Sequence, residues 1–397
     1  MFNLSKITIF SFFIIIIVGL CFTISSDVFA NNASGSVYIC PNATSSAEVN
    51  PRCPGKVILK LGETVNGITL VTTIYNGNEY YAVLGFTNGG GGVNLPPKAD
   101  ANGPYQGDAG LPIAFNAGNS SDPNNDALQY RWDFNNDESW DTDWLSVSTI
   151  EHIWNNDYEG TVKLEVSDGE FTATVTTSVM VKSPRAFKRE AVSELDSART
   201  GDKKNDQKID KIIQYIQTSL NDDLWIDASH LIFFKKDCLD PQILKINPEE
   251  MNLEEMFNLD SDKAELKMKS AFQGKCFGPK IGIRVFHQEY LATKLMFKEL
   301  GGKSKISEKL KDAFKEAISK LVKTDQLLAK IAIYDAKNTS IQNPKFQKIV
   351  KSQIKKAEEE LLKAEKEISQ NRPDKAIMRF SKAWLYAQLA IKFANYK

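Results

Sequence analysis

Histidine is almost missing from this chain: His152, His230 and His287 are the whole supply in 397 residues. They lie far apart in sequence with no recognisable partners, which argues against a His-based zinc site or a nucleophile–His–acid triad. There is no G-x-S-x-G elbow and no C-x-x-C pair. His287-x-Glu289 matches half of a deaminase motif, but no P-C-x-x-C follows. Gly301-Gly302-Lys303-Ser304 resembles the end of a phosphate-binding loop, yet Phe297 stands where the first glycine is required, so a turn between helices explains it better. An excess of charge is also lacking. With 49 Lys+Arg against 50 Asp+Glu, the net charge of −1 gives no reason to expect nucleic acid as a partner. Paired carboxylates for glycoside hydrolysis need only meet in space. No segment, however, looks large enough to form a deep cleft of its own, and the chain reads as a non-enzyme.

One long apolar run is present, from Ile7 to Ile24, after a short basic start ending at Lys6. Val28-Phe29-Ala30 fits the small-residue cleavage pattern of a secretory signal, so residues 1–30 read as a signal peptide or, alternatively, an uncleaved signal anchor. Either reading exports the rest, and contact with a membrane would come only through that anchor. Cys21 belongs to the apolar run. The four remaining cysteines, in an exported protein, favour disulfides, with proximity preferring Cys40–Cys53 and Cys238–Cys276 among three pairings.

Residues 31–93 carry short β-type runs, with Asn76-Gly77-Asn78 as a hairpin signal, and read as a small β module. Gly89–Gly92 followed by Pro96-Pro97 reads as a joint. Residues 94–184 alternate with period two, as in Val162, Leu164 and Val166 against Lys163 and Glu165, which indicates a β-sandwich. Within them, Ser121-Asp122-Pro123, Tyr130-Arg131-Trp132-Asp133-Phe134 and the segment Tyr158 to Gly169 resemble the PKD domain, an immunoglobulin-like sandwich of exported proteins. The family's W-D-F-G-D-G appears here as Trp132-Asp133-Phe134-Asn135-Asn136-Asp137. That resemblance implies an extracellular spacer or interaction domain.

Over residues 185–397 the period becomes helical. Ile209, Ile212, Ile213 and Ile216 recur on one face, as do Ile306, Leu310, Phe314, Leu321, Leu328 and Ile331. Asn371-Arg372-Pro373-Asp374 breaks the pattern, and Ala376, Ile377, Phe380, Ala383, Trp384, Ala387 and Ala390 line a last helix of a hairpin. Its A-I-x-x-F-x-x-A-W stretch resembles part of one tetratricopeptide repeat. Ser219–Asp227, Thr324–Ala329 and Pro373–Ile377 resemble a helical module of microbial surface proteins to which we attach no activity. The fold class is therefore multi-domain: an all-β part, made of a disulfide-stapled module and a PKD-type sandwich, followed by an all-α bundle.

Two candidate sites fall in the sandwich. Asp133, Asn135, Asp137, Ser139 and Asp141 place oxygen ligands at alternate positions, as in a calcium-binding loop. Glu138 stands where that loop wants glycine and Trp144 where it wants a bidentate Glu, so a solvated Asx turn competes with the metal reading. No cofactor is required; calcium is the one ion the residues suggest. Trp140 and Trp144, set in Asp-rich sequence, are expected to be partly exposed and to offer aromatic faces to a sugar or protein. The partner is expected to be an extracellular protein or polysaccharide, the function binding or scaffolding, and the alternative an accessory targeting part of a secreted hydrolase system. Charge is also split: residues 1–185 hold 9 basic against 19 acidic side chains, and residues 186–397 hold 40 against 31. Such a split favours head-to-tail attraction between copies, or different surfaces for the two ends.

Overall fold

The computed structural model describes residues 14–17, 20–23 and 36–40, most of 53–94, all of 95–233, residues 255, 257–259 and 263, then 282–302 and 306–396. Cys238 and Cys276 lie outside the described residues, as does Lys303-Ser304. The chain divides into two compact units. The first comprises Met1–Tyr105, Ala114–Glu151 and Gly160–Val179; the second comprises Gln106–Ile113, His152–Glu159 and Met180–Lys397.

In the N-terminal part of the first unit, strands β1 (Ile14–Ile17), β2 (Leu20–Thr23), β5 (Thr64–Val65), β6 (Ile68–Tyr75) and β7 (Asn78–Leu84) form a sheet of order β1-β2-β7-β6-β5. Tyr75 pairs with Asn78, so β6 and β7 are antiparallel neighbours at the position of the hairpin signal; Asn76 and Gly77 lie outside the described residues. The isoleucines of β1 pair antiparallel with β2, which joins β7 through Thr23 and Val83. Strands β3 (Ser36–Cys40), β4 (Val57–Leu59) and β8 (Gly90–Asn94) form a three-stranded sheet. The glycine run expected to be a joint is thus a strand, bonded to β3 from Gly90 opposite Cys40 to Asn94 opposite Ser36. Glycine accepts extended backbone as readily as any other, and here the partner strand supplies the order that a side chain would otherwise give. Cys40 and Cys53 are joined in a disulfide, both buried, with Cα atoms 5.7 Å apart.

The sandwich is built from β9 (Tyr105–Asp108), β10 (Ile113–Asn116), β11 (Gln129–Asp133), β12 (Thr149–His152), β13 (Tyr158–Ser167) and β14 (Thr172–Lys182). One sheet runs β11-β13-β14-β9 and the other pairs β10 with β12. Phe115, Trp132, Phe134, Val162, Leu164 and Val166 fill the interior. The Phe115 ring lies 5.3 Å from Trp132 and 5.1 Å from Phe134, a tilted aromatic cluster that rewards burial beyond its area.

The helical part of the second unit has six helices among the described residues: α1 (Pro184–Ser197), α2 (Lys203–Ser219), α3 (Ile283–Gly301), α4 (Glu308–Asn338), α5 (Gln347–Ser369) and α6 (Pro373–Ala394). Helix α1 starts straight after β14 because Ser183 caps it, its hydroxyl accepting from the Ala186 N–H, and Pro184 needs no hydrogen bond at the first position. Within this unit, Asp157 accepts from the Ser183 N–H at 2.6 Å, and Lys323 of α4 pairs with Asp108 at 2.6 Å. Gly110 turns with φ +85°, and a Cβ there would stand 2.8 Å from Ile331 Cδ1. Helix α5 stops where Asn371 takes a left-handed φ of 56°, and Pro373 opens α6. Ala357 and Ala364 on α5, with Ala376, Ala383, Ala387 and Ala390 on α6, are all buried at this hairpin, where small side chains let the backbones approach. No described helix is long and apolar enough to cross a membrane.

Trp384 is fully buried in the second unit's core, 1% exposed, with Phe233 at 5.2 Å and Phe286 at 5.7 Å. Trp384→Ala should therefore cost about 3–5 kcal/mol. The check is urea unfolding followed by helical circular dichroism, where the midpoint should fall markedly.

Candidate ligand-binding surface

Antiparallel pairing of β11 with β13 sets Arg131 opposite Glu165 and Asp133 opposite Lys163. Arg131 binds Glu165 at 2.5 Å through both Nε and a terminal nitrogen. The loop after β11 then folds back along the same strand. The Asp141 and Thr142 N–H groups donate to the Trp132 carbonyl, and Tyr130 and Leu145 exchange both backbone hydrogen bonds, at 2.9 and 2.8 Å. The Thr142 hydroxyl accepts from the Trp132 N–H at 2.9 Å.

This return path carries Trp140 and Trp144 to the Arg131 guanidinium, whose carbon lies 4.3 Å from one indole centroid and 4.5 Å from the other. Lys163 Nζ lies 5.3 Å from the Trp140 ring. Both indoles are half-buried, and Asp141 and Asp143 beside them are exposed. The packing has a clear physical cause: a guanidinium is weakly hydrated and flat, so it stacks on aromatic faces while its edge binds a carboxylate. The result is a rigid surface of two indoles, two cations and flanking carboxylates, held by the backbone of the sandwich rather than by the loop alone. Such a surface can present aromatic contact area at low entropic cost.

The five residues of the acidic loop come together in a different way from a ligand shell. Asp133 is 1% exposed, and its carboxylate accepts from the N–H groups of Asn135 and Asp137, both at 3.3 Å, and of Glu138 at 3.1 Å. Asp137 accepts from the Ser139 N–H and the Asn135 amide. Asp141 accepts from the Phe134 N–H at 2.7 Å. Asn136 and Glu138 adopt left-handed φ values of 54° and 74°, so the loop coils without the glycine of the PKD motif. A cation entering here would share oxygens already given to these N–H groups. Among the described residues, no three His, Cys, Asp or Glu side chains are arranged to hold a metal ion. Asp122 builds a smaller turn of the same kind by accepting from Asn124 and Asp126.

The histidines, isolated in sequence, are partnered in space. His287 is buried on α3 with its ring edge-on to Phe257 at 5.6 Å. His152 meets Trp154 at 4.2 Å. His230 is held from both sides: Nδ1 lies 2.9 Å from Asp227 and Nε2 lies 3.3 Å from Asp335 of α4. Burial alone would lower its pKa, but hydrogen bonds and charge from Asp227 and Asp335 outweigh it and raise the imidazole to about 9. The carboxylate at Asp335, more than one hundred positions along the chain, could not be paired with His230 from spacing.

The family model of the PKD domain matches residues 94–182. No curated protein matches the chain. Among solved structures, one reported as carbohydrate-binding modules of the β-sandwich superfamily is 28% identical over 22% of this chain and 35% of its own, with a TM-score of 0.20. Drosophila OTK extracellular domains 3–5 are 15% identical over 37% of this chain and 52% of theirs, with a TM-score of 0.19. The chain thus spans about a third and about half of those two structures.

Two outcomes follow from these geometries. Asp133→Ala leaves the Asn135 and Glu138 N–H groups without this acceptor, takes one of two from Asp137, and should cost about 1–3 kcal/mol; a lowered midpoint in the tryptophan-fluorescence melt checks this. For His230 the folded pKa stands above the unfolded one. Its stabilisation, roughly 3 kcal/mol, is complete below pH 6.5 and is lost as pH rises through about 9. The melting temperature of His230→Gln should lie closest to that of the unaltered protein at high pH and farthest from it near pH 6.

Proposed function

We propose that this protein is exported and acts outside the cytoplasm as a non-catalytic binding or scaffolding protein. Its PKD-type sandwich carries the recognition surface. The observation that carries the reading is the half-exposed Trp140–Arg131–Trp144 cluster on the sandwich. Aromatic and arginine side chains dominate the energetics of recognition surfaces, and rigidity reduces the cost of binding. The non-catalytic part of the reading rests on the sequence, which holds no nucleophile elbow and only three, widely separated histidines. Export rests on the N-terminal apolar run and its small-residue cleavage pattern.

The ligand class is an extracellular polysaccharide or protein. Retention of the full chain on insoluble polysaccharides, compared with binding to extracellular proteins, separates substrate targeting from scaffolding. In whichever assay the protein is retained, Trp140→Ala and Trp144→Ala should each weaken retention at least about tenfold. Retention equal to that of the unaltered protein in both variants would remove this surface from the account.

A further inference from the structure

The helical unit buries three ionisable side chains at one place. Lys188 of α1, Glu289 of α3 and Asp325 of α4 are each 0% exposed. Each interrupts an apolar stripe of its helix. Lys188 lies between Pro184 and Ala191, Glu289 among Phe286, Ala292 and Met296, and Asp325 between Leu321 and Leu328, all buried. Lys188 Nζ contacts Glu289 Oε1 and stands 4.4 Å from the centroid of the Trp225 indole. Asp325 lies close enough to Glu289 for their carboxyl groups to interact. Two other polar groups border the cluster. Arg185 is engaged by Asp222 and the Leu220 carbonyl, and the Ser219 hydroxyl donates to the Ile216 carbonyl.

As an ion pair this arrangement is poorly satisfied. Apart from the Lys188 Nζ–Glu289 Oε1 contact and the Glu289–Asp325 interaction, Lys188 Nζ and the oxygens of Glu289 and of Asp325 have no aligned hydrogen-bond partner among the described residues. A buried ion pair repays its desolvation only when its remaining polar atoms are bonded, and unsatisfied buried groups are rare enough to require a reason. Burial pushes the lysine amine down, and it pushes both carboxyls up, Asp325 further still through the neighbouring Glu289 charge. A lysine amine in contact with a glutamate carboxyl, with a second carboxyl beside them and water excluded, is the reactant set for amide condensation.

We propose that Lys188 and Glu289 condense into an intramolecular isopeptide bond, with Asp325 as the proton donor and acceptor. The Nζ lone pair adds to Glu289 Cδ while Asp325 protonates the carbonyl oxygen, and the Asp325 carboxylate then takes a proton from the nitrogen. Asp325 next protonates one hydroxyl of the tetrahedral carbon. The C–O bond breaks, water leaves, and Asp325 recovers its proton from the other hydroxyl. Atoms balance, Asp325 is regenerated, and no oxidant or cofactor is consumed. The product also accounts for the unsatisfied atoms: the amide N–H faces the Trp225 ring, and the amide oxygen accepts from the Asp325 carboxylic acid. A covalent tie then joins α1, the helix that follows β14, to α3.

Mass spectrometry of a tryptic digest of the full chain decides this. The expected result is peptide Ala186–Arg189, uncut after Lys188, joined to peptide Val285–Lys294 and lighter than their sum by one water. Asp325→Asn should leave the two peptides separate while helical circular dichroism is retained. If that variant does not fold, the digest of the unaltered protein still decides. Cleavage after Lys188 with an unmodified Glu289 peptide, or a link from Lys188 to Asp325 instead, would overturn the assignment.

Discussion

A charge taken out of water must find its counterpart within hydrogen-bond reach, and much of this protein is arranged around that demand. Asp133 meets it with backbone N–H groups, which lets the loop after β11 turn tightly and run back along the strand. Arg131 meets it with Glu165 across the ladder and with two indoles above and beside its plane. These two solutions depend on each other. The Asp133 turn sets where Trp140 leaves the loop, and the Arg131 stack fixes how the indole lies. Removing the carboxylate would loosen the Trp140–Arg131–Trp144 stack without touching it.

The second unit faces the same demand with fewer backbone groups to offer, because helices bond their own. His230 therefore takes two carboxylates, one from its own turn and one from α4. Among the described residues, Lys188, Glu289 and Asp325 meet one another and the Trp225 ring, with Arg185 and Ser219 at the border. An ion pair left in such a place contributes little stability, whereas a covalent amide removes the charges altogether. Elsewhere this unit relies on close packing, with alanines bringing α5 against α6 and Trp384 filling the core between aromatic neighbours.

Local patterns announced much of this. Period two in β13, the hairpin signal between β6 and β7 and the Asn371–Pro373 break each act within a few residues, so spacing alone reveals them. The half-buried state of Trp140 and Trp144 also follows from the Asp-rich sequence around them. What spacing did not reveal was pairing. That Arg131 would hold both indoles depends on the loop returning along β11, and that His230 would meet Asp335 depends on how a turn packs on α4. The glycine run misleads because composition describes its freedom in isolation, while β3 supplies the order. One signal was present and unused: Lys188, Glu289 and Asp325 each occupy an apolar position of an amphipathic helix. A charge there is a reason to look for a partner from another helix.

The central claim is that recognition resides on the Arg131–Trp140–Trp144 face. Amide hydrogen exchange of the full chain, with and without the polysaccharide or protein that retains it, tests this directly. The account predicts that ligand-dependent protection concentrates in residues 130–145 and 161–167. Protection confined to the helices, with those two segments unchanged, would contradict it.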